Sequence, residues 1–238
     1  MSTSEPPPWP HCAHGADPAA DPVGCRGIHV PGHTACLAHL ADTDRDAYLA
    51  GLTPGTDIDH RGTPFTEPLL NSLLNALRDP TTQRPHLGNA AFGEATFQGD
   101  AWFESATFQG DAGFGKATFQ GGAWFVSATF QGDARFDSAA FDQRVSLGPL
   151  VCAGQMSLSG AVFNGPASLS FAARRLECRR TRWLSTAEVR LRYTSVDFAH
   201  AVFEYPLTIA AEADPFVLST GEPLEERAST TRLTPRCG

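Results

Sequence analysis

The sequence predicts a mainly β fold: a four-sided β-solenoid of about 22 residues per coil, with an N-terminal helical cap and a small Cys/His segment. Three observations carry the prediction. Residues 95–138 repeat in elevens, as ATFQGDAWFES, ATFQGDAGFGK, ATFQGGAWFVS and ATFQGDARFDS. Phenylalanines fall at 92, 97, 103, 108, 114, 119, 125, 130, 136 and 141, in alternating steps of five and six. Finally, positions 22 apart stay apolar after the phenylalanine motif fades, between 142 and 169.

An eleven-residue period also suits a right-handed helical supercoil. Steps of five and six throw successive rings onto different helix faces, and each unit carries helix-weakening glycine, so that reading fails. The Ala-x-Phe alternation instead places Ala95 and Phe97, or Ala101 and Phe103, on one side of a short strand. Gly99, Gly110, Gly121 and Gly132 supply corners. Four sides give four inward columns: Phe97, Phe119, Phe141, Phe163; Phe103, Phe125, Leu147, Leu169; Phe108, Phe130, Cys152; and Phe92, Phe114, Phe136, Leu158.

Units such as AFGEA, TFQGD and AVFNG resemble pentapeptide-repeat proteins, in which a small residue stands two places before a central Leu or Phe. The resemblance covers about 90–171 well and 187–210 loosely, and it implies a right-handed quadrilateral β-helix. Every second repeat here has six residues, and the Asp or Asn before the central residue is mostly absent, so a wider or bulged coil with altered turns is expected.

In chain order, residues 1–10 read as a flexible lead-in, and 1–52 as a Cys/His-rich segment with a helix. Cys12, Cys25, Cys36 and His39 offer four zinc ligands, with His14 or His33 as substitutes for one of them. So small a segment has little core, and metal binding would also supply its folding energy. A helix is expected from Thr34 to Leu52, with Asp42, Asp44 and Asp46 on a solvated face. Residues 53–89 form a turn-rich link and a capping helix, starting near Thr63 with Pro64 in its first turn and a stripe of Leu69, Leu70, Leu73, Leu74 and Leu77. His60, near Asp57 and Asp59, has no nucleophile motif beside it and reads as a loop histidine.

The solenoid proper is assigned to 90–210. Its 22-step stacks Trp102 on Trp124 outside, and these two are the candidate contact surface. Gln98 with Gln120, and Gln109 with Gln131, should form structural ladders. The columns reach Arg174 and Arg180, so an interruption is expected at 172–186, read as a basic loop balancing acidic coils. Residues 211–238 read as a disordered tail that leaves the last coil uncapped.

The formal charge is −8, with seven bases against two acids in 172–192 and an acidic excess elsewhere. That is not the profile of a nucleic-acid binder. No basic-then-apolar leader and no bilayer-length run is seen, so a cytoplasmic protein without membrane contact is expected, its six cysteines serving as metal ligands or buried thiols. No phosphate loop, nucleophile elbow or H-E-x-x-H motif occurs, which argues against an enzyme. The expectation is a non-catalytic scaffold or protein-interaction module, with an unidentified protein partner and a homodimer through the last coil. The resemblance implies an alternative, a DNA-mimicking modulator of DNA gyrase; seven acids against three bases in 90–171 make a thin charge for it. Nucleic-acid binding by the Cys/His segment is a further alternative, with only Arg26 as a base between 12 and 44.

Overall fold

The computed structural model describes residues 5–212. Short parallel strands stack coil on coil into a four-sided solenoid. One side is a seven-stranded sheet running through Phe65, Phe97, Phe119, Phe141, Phe163, Trp183 and Phe203. The other three sides join in a fourteen-stranded sheet, because Val145–Ser157 and Ala167–Glu177 turn corners without breaking.

The alternation of Ala and Phe does what period two requires: both face inward, and both are buried along the whole repeat. Each ring lies on the ring one coil away. Phe97 stacks on Phe119 at 4.7 Å, Phe103 on Phe125 at 4.8 Å, Phe108 on Phe130 at 4.6 Å and Phe114 on Phe136 at 4.7 Å between centroids. These distances are the strand spacing of a sheet, so each column is a sheet's repeat written in aromatic rings. Between columns the rings meet edge to face, as Phe103 and Phe114 do at 80°.

The alternating steps of five and six make two kinds of corner. After Phe92, Phe103, Phe114, Phe125 and Phe136 the chain makes a four-residue turn. In it the phenylalanine carbonyl accepts from the alanine three residues on. The third residue of each turn, Glu94, Ser105, Lys116, Ser127 or Ser138, has φ between 56° and 59°. The six-residue corners carry the Gln-Gly-Asp motif and are closed by side chains. Asn89 N–H donates to Asp57, Asp111 N–H to Asn89, Asp133 N–H to Asp111 and Gln155 N–H to Asp133, at 2.6–3.0 Å. Gly122 N–H donates in the same way to Asp100. The extra residue leaves an amide that the strand ladder does not reach, and a carboxylate one coil away accepts from it.

Five local expectations change. The helix expected from Thr34 is confined to α1 (Asp42–Ala50). Residues 36–39 are a turn, with His39 and Leu40 amides both donating to the Cys36 carbonyl, because Cys36 and His39 must point the same way. The capping helix α2 (Glu67–Ala76) starts later than Thr63: Thr66 is its N-cap, with its side chain accepting from Leu69 N–H and Pro68 in the first turn. Pro64–Phe65 is instead a strand, since Phe65 heads the column above Phe97. Strand pairing thus begins at Ile58, before the boundary drawn at 90, and the ten residues of α2 are inserted into the first coil. The lead-in is docked at Trp9, whose indole donates to the Arg26 carbonyl and lies over the Arg61 guanidinium.

The fifth change is at 172–186, where no interruption occurs. Ala167–Glu177 pairs with both neighbouring coils. Two irregularities in Val145–Ser157, between Leu147 and Leu150 and between Cys152 and Gln155, each remove one residue from the offset. The period falls from 22 to 20, so Leu158 is followed inward by Cys178 and not Arg180, and Cys152 faces Ala173 and not Arg174. Apart from Arg192, which is buried with its guanidinium over the Tyr193 ring, the basic residues stand on strand exteriors and corners. Arg175 pairs with Glu177, Arg179 with Asp197, and Arg190 with Glu188 and Glu212. Residues 213–238, expected as a tail, lie outside the described residues. Among the described residues no helix is long and apolar enough to cross a membrane.

Candidate metal centre

The Cys/His segment folds back on itself before it meets the solenoid. Cys12 N–H donates to the Gly27 carbonyl, Ala13 N–H to Cys25 and Cys25 N–H to His14, so two short stretches run side by side. This brings Cys12 and Cys25 together, and the 36–39 turn delivers the remaining pair. The ligand atoms of Cys12, Cys25, Cys36 and His39 all lie within 4.8 Å of one another. The Cys25 and Cys36 sulfurs are 3.7 Å apart, and His39 Nδ1 is 3.4 Å from both Cys12 and Cys36 sulfurs.

These separations fit a tetrahedral ion. Metal bonds of about 2.0–2.3 Å place ligand atoms about 3.5–3.8 Å apart. A disulfide needs about 2.05 Å, and among the described residues every cysteine is a free thiol. The four residues chosen from spacing are thus close enough to hold a metal ion, without disulfides. His14 stacks on the His39 ring at 4.1 Å, while His33 faces Asp44.

The Cys25 and Cys36 sulfurs share a hydrogen bond. A hydrogen bond from Cys36 pulls the Cys25 thiol down to about 5, against its burial and assisted by the Gly27 amide. The same bond and burial push Cys36 up. Gly27 makes the closeness possible: a Cβ there would meet Cys36 Cβ at 2.6 Å and Sγ at 2.7 Å.

The centre sits against the first coil. Ile28 N–H donates to the Arg61 carbonyl, and Val30, Leu37 and Leu40 join the same apolar core as Phe65 and Phe92. His60 is not a loop histidine. It is 1 % exposed and tops the Phe92 column at 6.4 Å, with Nε2 3.2 Å from the Tyr48 hydroxyl and Nδ1 unpaired. Burial drives its pKa down to about 4, against the pull of Asp59. Burial also raises Tyr48 to about 12. A histidine 32 residues before a column phenylalanine carried no periodic signal, because α2 intervenes.

Trp102 and Trp124 stack at 5.2 Å and 11° on the outer face. Trp102 is 40 % exposed, while Trp124 is half-buried with its Nε1 unpaired. The Trp124 indole lies over Gly122, where a Cβ would meet Nε1 at 2.7 Å, and this explains why one repeat reads Gln-Gly-Gly. The side-chain ladders that form on the corners are made by Asp and Asn.

The family model described as pentapeptide repeats (9 copies) matches residues 84–127 and, overlapping them, 103–148. In the same comparisons no curated protein and no solved structure matches the chain. The stacked coils and the matched repeats agree: the tract 84–148 is similar to pentapeptide repeats and is wound as a β-solenoid.

Proposed function

We propose that the chain is a non-catalytic scaffold that binds a protein partner through its solenoid, with zinc in the Cys12–Cys25–Cys36–His39 centre securing the N-terminal segment. One observation carries this: the interior is filled by stacked rings, so recognition falls to the outer faces. Outside, the stacked Trp102 and Trp124 rings support a protein contact there. Three thiolates and an imidazole suit zinc, and four protein ligands suit a closed structural site. Free thiols in the described residues fit a reducing compartment, so we place the protein in the cytoplasm. The last described coil exposes Tyr193, Val202, Tyr205 and Ile209, which supports a homodimer through that end.

Lysate capture with the wild type and with a Trp102→Ser/Trp124→Ser variant tests the scaffold reading. A protein retained by the first and lost by the second supports it; identical captures overturn the assignment of the surface. Recovery of gyrase subunits would favour DNA mimicry, although Lys116–Glu94 and Arg135–Asp133 pairs offset part of the acidic charge. Elemental analysis tests the metal, and light scattering tests the homodimer.

A further inference from the structure

The centre is wired to the buried histidine. Arg45 of α1 donates from Nε to the Leu37 carbonyl at 3.1 Å, and from Nη2 to Leu40 at 2.8 Å and Ala38 at 3.4 Å. Its guanidinium therefore closes on the carbonyls of the turn that presents Cys36 and His39. Three residues further along α1, Tyr48 meets the His60 ring edge-on at 5.8 Å and covers its Nε2. Beneath His60 lie Phe65 and Phe92. Asp59, the adjacent carboxylate, is engaged by Arg61.

The two parts differ in what holds them. Residues 9–41 bury few large apolar side chains, chiefly Val23, Val30, Leu37 and Leu40. Ordering such a segment costs more than this burial returns, unless a metal supplies the difference. The coils below have a continuous aromatic core that the ligands do not touch.

We infer that residues 9–50 form a metal-operated lid: occupancy of the centre fixes the Cys36–His39 turn, Arg45 transmits that position to α1, and Tyr48 closes over His60. The inference rests on the zinc reading above. Loss of the ion frees the lid and admits water to His60, while the solenoid beneath stays wound. Arg45 is a positioning residue and not a ligand.

The test uses the full chain, zinc-loaded and then chelated, with zinc read by elemental analysis. His60 access is read by diethyl pyrocarbonate modification mapped by mass spectrometry, and amide exchange is followed over 96–141. Chelation should speed His60 modification at least about tenfold, zinc return should reverse it, and exchange over 96–141 should not change. Arg45→Ala should keep its zinc yet react faster at His60, with Arg45→Lys between it and wild type. Equal protection of His60 after zinc loss, or an unaltered Arg45→Ala, overturns the lid while leaving the zinc site standing. Uptake below about one zinc per five chains overturns both, and elemental analysis alone reports it.

Discussion

Phe163 and Trp183 stack at 4.0 Å and 9°, twenty residues apart in a column whose rings recur every twenty-two from Phe97 to Phe163. The column therefore outlives the change of period, and the larger indole fills the site in the narrower coil. Trp183 is 1 % exposed, and its Nε1 donates to Thr181 Oγ1, which donates to the Cys178 carbonyl. Trp183→Ala should cost about 3–5 kcal/mol in urea denaturation, by cavity formation. Trp183→Phe keeps the stack and should cost about 1–2 kcal/mol, for lost volume and one hydrogen bond.

Ser105 has φ of 56° at a turn that any β-carbon strains. Its side chain makes no hydrogen bond among the described residues, and its amide donates to the Val126 carbonyl whatever the side chain. Ser105→Gly should raise stability by about 1 kcal/mol, measured as a higher denaturation midpoint at unchanged slope.

Gly27 leaves no room for a β-carbon beside Cys36. Gly27→Ala should push the Cys36 sulfur from the other ligands and lower zinc content several-fold. The denaturation midpoint of the coils should stay near wild type, because their core does not include this residue.

Asp133 accepts from the Gln155 amide and from Arg135, and both hold its carboxyl below the usual carboxylate range, with the Gln155 amide the larger cause. Asp133→Ala should cost about 1 kcal/mol, the value of a partly solvated hydrogen bond, and Asp133→Asn less because an acceptor remains. The sign with pH follows from the lowered value. The contribution is present above the unfolded-state carboxylate pKa and lost as pH falls through the folded one, so the variant and wild type should converge at acid pH.

His60 works in the opposite sense to a paired histidine. Its folded pKa, about 4, lies below the ordinary 6.5, so the unfolded chain binds the proton more readily. Stability should be full above about pH 6.5 and fall as pH drops toward 4, by up to about 3 kcal/mol. His60→Leu should remove most of that decline, seen as a flatter dependence of the urea midpoint between pH 7 and 5.

The repeat, the four columns and the Cys12–Cys25–Cys36–His39 cluster could be read from spacing, because each is a local pattern copied along the chain or a cluster dense enough to stand out. Phe97 needs no knowledge of Phe119 beyond the step between them. What the tertiary structure decided depends on contacts with no period: α2 inserted into the first coil, Phe65 and His60 claimed as column tops, and Cys36–His39 bent into a turn by Cys12 and Cys25. The two residues lost opposite Leu147–Gln155, between Leu169 and Arg175, belong here too, since a shift in offset is visible only once both strands are paired. Side-chain spacing along one strand specifies which residues turn inward; which coil they then meet is settled by packing between distant segments.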